Sequence, residues 1–148
     1  MVGGAAVILA LVAMPLLLAS VEQGTRASRS LAQIGSIPSQ PYTNARFAAL
    51  RAQHRPVFIN ATAAWCITCL VNEKVAFSDG DVQAAFGRGH VAYLVADWTN
   101  RNPEITSLLQ AHGRSGVPLY LYYSSKSETP VVLSQVLTPG EVQKAIGL

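Results

Sequence analysis

Residues 56–70 read PVFINATAAWCITCL, and this stretch decides the predicted fold. It opens with a proline and a short apolar run, residues 57–61, which is rich in β-forming side chains and is typical of a buried strand. Apolar residues at helical spacing resume after Cys66. We therefore expect a strand that passes directly into a helix, with Cys66 and Cys69 at the junction.

The spacing of the two cysteines suits disulfide chemistry. On the first turn of a helix, residues i and i+3 lie on one face, so the two sulfurs can approach closely enough to bond. The free backbone N–H groups and the helix dipole favour a thiolate on the first cysteine. We expect Cys66 to be the exposed attacking nucleophile, and Cys69, one turn deeper, to resolve the mixed disulfide.

Other uses of a Cys-x-x-Cys pair fit less well. A zinc site needs further ligands, and His54, His90 and His112 form no ligand pair beside the cysteines. Attachment of haem needs a histidine directly after the second cysteine, where Leu70 stands. We expect no metal and no cofactor. A purely structural disulfide stays open as the alternative to a redox-active one.

The composition of the whole chain excludes several classes of protein. The chain has 148 residues, of which 50% are hydrophobic and 13% are charged. A length near 150 residues favours one domain, and this apolar content is too high for an intrinsically disordered chain. The net charge of +3 comes from scattered residues rather than from a basic run, so we expect no nucleic-acid partner.

The first twenty residues differ from the rest of the chain. They read MVGGAAVILALVAMPLLLAS, contain no charged side chain and include 16 apolar residues. A helix of this length spans the roughly 30 Å hydrocarbon core of a bilayer, so residues 1–20 are predicted to form a transmembrane helix or signal anchor. A cleaved signal peptide is the alternative. Residues 21–42, which contain Pro38 and Pro41, indicate a linker.

Residues 43–148 are predicted to form the globular domain, in which helices and strands alternate. Helix starts are indicated by a capping residue at Thr43 or Asn44 and by the pair Asn102-Pro103. The alternation predicts an α/β layer fold with a mixed sheet. The predicted strands are residues 57–61, 91–96, 119–123 and 131–135, and the predicted helices begin near residues 44, 67, 81, 103 and 141.

Two motifs resemble those of the thioredoxin superfamily. One is AWCITC at residues 64–69 after an apolar strand, and the other is Gly-Val-Pro at residues 116–118 before a later strand. Three further features are the spacing Cys-x-x-Cys-x-x-x-Glu that ends at Glu73, the stretch KVAFS at residues 74–78 and the preceding apolar segment. They resemble the C-terminal periplasmic domain of transmembrane thiol:disulfide interchange reductases of the DsbD and ScsB type.

The resemblance implies a fold and a location. The fold is a thioredoxin-like three-layer arrangement with a central mixed β-sheet over residues 43–148, preceded by a transmembrane helix at residues 1–20. The location is the bacterial inner membrane, with the thioredoxin-like domain facing the periplasm. The chain would then be membrane-anchored and similar to the last part of a larger polytopic protein.

The resemblance also implies an activity. Proteins of this type are protein-disulfide reductases, so electrons would pass from a membrane electron-donor domain through Cys66 and Cys69 to extracytoplasmic disulfide-containing partner proteins. One process that such electrons serve is cytochrome c biogenesis. The alternative is a membrane-tethered thioredoxin-fold interaction or assembly module whose disulfide is structural.

The resemblance places a substrate-binding edge beside the cysteines. It implies a cis peptide bond at Val117-Pro118, opposite Cys66 and Cys69, where the Val117 backbone would pair with an extended substrate segment. Trp65 would form one wall of this contact surface. These three residues are the predicted substrate-binding set.

The last group of candidates concerns protons and redox tuning. Most thioredoxin-like domains have a buried Asp six residues before the first cysteine, but this chain has Asn60, whose amide cannot take a proton. Glu73, four residues after Cys69, is the predicted substitute, with a raised pKa. Ile67 and Thr68 lack a positive charge that would strongly stabilise a thiolate, which favours a reductant.

Overall fold

A six-stranded mixed sheet lies at the centre of the part of the chain that the computed structural model describes, residues 33–34 and 37–147. The strands follow the order β1-β2-β4-β3-β5-β6. Strands β2, β3 and β4 are parallel, whereas β1, β5 and β6 run antiparallel to their neighbours. The strands are β1 (Gln33–Ile34), β2 (Ile37–Pro41), β3 (Val57–Thr62), β4 (Ala92–Asp97), β5 (Leu119–Tyr123) and β6 (Val131–Val132).

Helices connect most of these strands, and polar side chains cap their first turns. Thr43 caps the first helix and Asn102 caps the fourth, as the sequence predicts, because each side-chain oxygen accepts a backbone N–H of the first turn. The helices are α1 (Asn44–Ala52), α2 (Ile67–Asn72), α3 (Gly80–Arg88), α4 (Pro103–Ala111) and α5 (Pro139–Ile146), and a π-helical turn, Glu73–Phe77, continues α2.

The alternation of side chains along β3 builds two apolar layers. Val57, Ile59 and Ala61 face one side of the sheet, where they pack with residues of α4 such as Ile105. Phe58 faces the other side, where it packs with residues of the π-helical turn, α3 and α5. The result is the predicted mixed α/β fold with a sheet between two layers of helices.

Residues 37–41 form strand β2, although the sequence predicts a linker there. The strand pairs with β4 in parallel, with Ser39 opposite Tyr93, and Ile37 is buried in the core. The segment has two prolines and few apolar residues, so its local sequence does not indicate a strand. Pairing with β4 stabilises the strand in spite of this weak local propensity. The predicted linker is therefore wrong at residues 37–41.

Strand β6 is also shorter than predicted. It ends at Val132 instead of residue 135, because the chain leaves the sheet there. Leu137 is buried in the core, and its N–H donates a hydrogen bond to Asn72. The segment after β6 thus belongs to the surroundings of α2.

The predicted transmembrane helix at residues 1–20 and the first part of the predicted linker lie outside the described residues. Within residues 33–34 and 37–147, no helix combines the length and the apolar character needed to cross a bilayer.

Candidate active site

A disulfide joins Cys66 and Cys69 at the junction between β3 and α2. Their Cα atoms are 5.2 Å apart. Cys66 is the N-cap of α2 rather than a residue of its first turn, and its sulfur accepts a hydrogen bond from the Cys69 N–H at 3.2 Å. The first sulfur therefore lies where a backbone donor can stabilise a thiolate.

The two sulfur-bearing residues differ in accessibility. Cys66 is 7% exposed and Cys69 is 1% exposed. The neighbouring Ile67 is 77% exposed, while Thr68 is half-buried. Cys66 is the less deeply buried of the two, which is the order of depth that the sequence predicts, but the expectation that it is exposed is wrong. The exposed side chain beside the disulfide is that of Ile67.

Trp65 belongs to the surface beside the disulfide. It is 52% exposed, and its indole N–H donates to the Thr99 carbonyl at 3.1 Å. The Thr99 hydroxyl also accepts the Ala64 N–H at 2.9 Å, and the Trp65 and Trp98 ring centroids are 6.0 Å apart. The loop after β4 thus holds Trp65 in an exposed position, where it is available for contact with a partner.

The loop before β5 also approaches the disulfide. The Val117-Pro118 peptide bond is cis, as the resemblance implies. Val117 packs against the small apolar cluster formed by Ala63, Cys66 and Cys69. The structure therefore brings the predicted substrate-binding loop and the disulfide together.

A group of buried polar side chains lies on the sheet face beneath α2. Asn60 is 1% exposed, and its Nδ2 donates to the Tyr93 hydroxyl at 2.8 Å. Its Oδ1 has no hydrogen-bond partner among the described residues. Asn60 is thus held by a neighbouring strand rather than by a backbone group.

Asn72 binds three separate parts of the chain to the cysteine helix. Its Nδ2 donates to the Tyr120 hydroxyl at 2.8 Å and to the Gln135 carbonyl at 2.7 Å. Its Oδ1 accepts the Leu137 N–H at 3.0 Å. Because Asn72 lies one turn after Cys69, these bonds fix the depth of the cysteine helix against β5 and the segment before α5.

Glu73 enters the same polar group from the start of the π-helical turn. Its Oε1 accepts a hydrogen bond from the Thr62 hydroxyl at 3.4 Å. Burial raises the pKa of its carboxyl above the ordinary value of 4.5, and the Thr62 bond opposes this in part. Burial also raises the pKa of Tyr120 to about 12, and the nearby Glu73 carboxylate adds to that rise. The direction of this shift agrees with the raised pKa predicted from the sequence.

Four residues of this polar group are not predicted from the sequence: Thr62, Asn72, Tyr93 and Tyr120. Asn60 and Thr62 are two residues apart in β3, so their side chains lie on the same face of the sheet. Asn72 lies about one helical turn after Cys69. A polar residue at an inward position of an apolar strand was therefore the available signal. The tyrosines carried no such signal, because an inward tyrosine is ordinary in a core.

A comparison with protein families decides the relationship. The family described as thioredoxin-like matches residues 39–125. The chain belongs to this family. The match begins within β2, includes the disulfide and the Val117-Pro118 loop, and ends just after β5.

Among curated relatives of this thioredoxin-like chain is the thiol:disulfide interchange protein DsbD of Yersinia pestis (strain Pestoides F). It is 36% identical over 76 residues, which cover 51% of this chain and 12% of the relative. DsbD of Klebsiella pneumoniae is 33% identical over 78 residues, which cover 53% of this chain and 13% of the relative. The matched region is thus about one eighth of the length of these relatives.

Solved structures show the same fold. The reduced C-terminal domain of Neisseria meningitidis DsbD matches with a TM-score of 0.55 and 22% identity, over 67% of this chain and 85% of that domain. A thioredoxin from Thermus thermophilus matches with a TM-score of 0.59 and 18% identity, over 75% of this chain and 85% of that one. The predicted resemblance to the DsbD C-terminal domain is confirmed.

Replacing Asn72 by Ala should destabilise the thioredoxin-like domain. The change leaves the Tyr120 hydroxyl, the Gln135 carbonyl and the Leu137 N–H without their partner. Unpaired buried groups of this kind cost about 2–4 kcal/mol together. Urea denaturation measures the free energy of unfolding. The control, Asn100→Ala at an exposed position, should change it by less than about 0.5 kcal/mol.

The stability of the domain should depend on the charge of Glu73. Burial raises its folded-state pKa, so the folded protein binds the proton more tightly than the unfolded chain. This contribution is fully present below the unfolded pKa and is lost as the pH rises through the folded pKa. Glu73→Gln has no charge to gain as the pH rises, so its stability does not show this loss. The melting temperature of the variant minus that of wild type should therefore be larger at pH 7 than at pH 4. A difference that stays constant with pH would contradict this expectation.

Proposed function

We propose that this chain is a protein-disulfide reductase that passes electrons from a membrane electron donor to extracytoplasmic disulfide-containing proteins. The observation that carries the proposal is the Cys66–Cys69 disulfide, which lies at a strand-to-helix junction, with Cys66 less deeply buried than Cys69 and with Val117 packed beside it. Membership of the thioredoxin-like family and similarity to DsbD support thiol-disulfide exchange in general.

The proposed location is the bacterial inner membrane, with the thioredoxin-like domain in the periplasm. Residues 1–20 would form the transmembrane helix, and the chain after them would connect it to β1. The apolar composition of this segment and the similarity to DsbD support this arrangement. Among the processes that such a reductase could supply with electrons is cytochrome c biogenesis.

The first chemical step uses the reduced form of the domain. The Cys66 thiolate attacks one sulfur of the partner's disulfide, and a new sulfur–sulfur bond forms between Cys66 and the partner. The partner's other sulfur leaves as a thiolate and takes up a proton. The Cys69 N–H, which donates to the Cys66 sulfur in the structure, supports the thiolate that makes this attack.

The second step releases the partner. Cys69 gives its proton to Glu73, and the resulting thiolate attacks the Cys66 sulfur. The Cys66–Cys69 disulfide forms, the bond between Cys66 and the partner breaks, and the partner leaves as a dithiol after it takes up a second proton. Two electrons and two protons have then moved to the partner. A donor dithiol in the membrane domain restores the reduced form by the same chemistry.

The proposed contact surface for the partner surrounds Cys66. Trp65 and Ile67 are exposed beside the disulfide, and Val117, which precedes Pro118, packs against the two cysteines. The Val117 backbone is the proposed pairing edge for an extended partner segment. Asn60, Ile67 and Thr68 are the proposed tuning positions, since none of them places a positive charge near the Cys66 sulfur.

A mixed disulfide with a partner should accumulate in the Cys69→Ser variant. Cys66 can still attack, but no second thiol is present to resolve the product. The experiment incubates the purified, reduced full chain with oxidised insulin as a model disulfide-containing protein and measures the mixed disulfide on a non-reducing gel. The matched control is Cys66→Ser, which keeps the buried Cys69 thiol and should trap little or no partner.

Two results would contradict this function. Equal trapping by both variants would mean that neither cysteine is the specific nucleophile. No trapping by either variant, together with a wild-type disulfide that partners do not reduce or exchange, would indicate a structural disulfide in an interaction module.

Glu73→Gln should slow the second step more than the first. A well-placed general base contributes about 10²–10⁴-fold, whereas attack by Cys66 does not use this carboxylate. Stopped-flow measurement of mixed-disulfide decay isolates the second step, and reaction with a small-molecule disulfide isolates the first. The matched control is Glu128→Gln, which makes the same change at an exposed residue after β5. Equal rates for wild type and Glu73→Gln between pH 5 and pH 8 would exclude Glu73 as the proton acceptor.

A further inference from the structure

The amide of Asn60 is held in one orientation by a residue of the neighbouring strand. Its Nδ2 donates to the Tyr93 hydroxyl at 2.8 Å, and both side chains are buried. The Tyr93 ring itself is fixed, because it packs against the rings of Phe58, Phe77 and Phe86. The hydroxyl oxygen is therefore held in a fixed position, and it accepts from Nδ2 in this orientation of the amide.

This orientation leaves the other end of the Asn60 amide available. Oδ1 is buried and has no partner among the described residues. A buried acceptor without a donor is costly and is rare in folded proteins. Oδ1 therefore gains from any donor that arises next to it during the reaction.

Glu73 is the member of this polar group that gains a donor when it takes up a proton. Its carboxyl accepts from Thr62, which lies two residues after Asn60 on the same face of β3. Its charge also acts on Tyr93, the residue that holds Asn60. The Asn60 amide and the Glu73 carboxyl thus share one buried polar group, and a protonated Glu73 carries an O–H that needs an acceptor.

Other charges around Glu73 are few. The titratable groups that face this part of the turn are Tyr93 from β4 and Tyr120 from β5. Asp97, at the exposed end of β4, accepts from the Thr99 N–H, and Lys74 beside Glu73 is exposed. The α3 and α5 helices meet the turn through apolar side chains. Neutral hydrogen-bonding groups therefore dominate the surroundings of the carboxyl.

We propose that Tyr93 is a positioning residue, which holds Asn60 so that Asn60 Oδ1 accepts a hydrogen bond from the carboxyl O–H of Glu73 whenever Glu73 is protonated. The inference rests on the proposed role of Glu73 as the acceptor of the Cys69 proton. A hydrogen bond between Asn60 and the neutral Glu73 carboxyl stabilises the protonated form, so this bond makes Glu73 a better proton acceptor. The neutral amide thereby assists proton transfer without titrating.

The test is a carbon-13 NMR titration of the glutamate carboxyls in the oxidised full chain. The chain has five glutamates, and the Glu73→Gln variant assigns the Glu73 signal. Asn60→Leu removes the acceptor, so the proton affinity of Glu73 should fall about three- to tenfold, the size of one ordinary hydrogen bond. Tyr93→Phe frees the amide to turn its Nδ2 toward the carboxylate, so the proton affinity should fall here too.

The matched control is Tyr122→Phe, which removes a hydroxyl from another buried tyrosine on the same face of the sheet. It should leave the titration of Glu73 unchanged. Tyr93→Phe keeps the ring that packs against Phe58, so the proposal stays testable even where Asn60→Leu does not fold.

A rise in proton affinity in either variant would overturn the proposal, because it would mean that Nδ2 or the Tyr93 hydroxyl stabilises the Glu73 carboxylate instead. No change in either variant would overturn it as well. The titration uses the oxidised protein without a partner, so it does not depend on the proposed function. Failure to trap a mixed disulfide would refute that function, but it would not change the result of the Glu73 titration.

Discussion

Hydrogen bonding beneath α2 is the constraint on which the rest of the site depends. The inner face of this helix packs against a sheet whose facing residues include Asn60 and Thr62, so polar groups are buried on both sides. Burial of such groups is costly unless they are paired. Asn72 meets this requirement by bonding to Tyr120 and to the segment after β6. The same bonds set the depth of Cys69, because that residue lies one turn earlier on the helix.

The difference between the two cysteines follows from this arrangement. Cys69 lies on the inner face of α2 and is shielded by the sheet, whereas Cys66 caps the helix where β3 ends. A cap residue faces the free N–H groups of the first turn, so the sulfur at that position has a backbone donor. The chain thus needs no charged residue near Cys66 to distinguish the two sulfurs.

The sequence predicted the elements whose signals are local and missed those that depend on partners far along the chain. The β3 run, the Asn102 cap and the cysteine spacing are short-range patterns, and each is found where it was expected. Strand β2 has two prolines and depends on pairing with β4, so its local pattern indicated a linker. The Tyr93 and Asn72 contacts join residues that are distant in sequence, and no single-sequence pattern identifies such pairs.

This chain has Asn60 in β3 where most thioredoxin-like domains have an aspartate. This difference bears on the direction of electron flow. With Asn60 neutral, Glu73 is the carboxyl within the polar group beneath α2, and burial already raises its pKa. A carboxylate there disfavours a second negative charge on a nearby sulfur, so the reduced cysteines tend to keep their protons. The Cys66 thiolate is stabilised by a backbone donor but by no positive charge from Ile67 or Thr68, and a less stabilised thiolate makes the disulfide form a weaker oxidant. The buried polar group therefore favours the donor role proposed for this domain over the role of an oxidase.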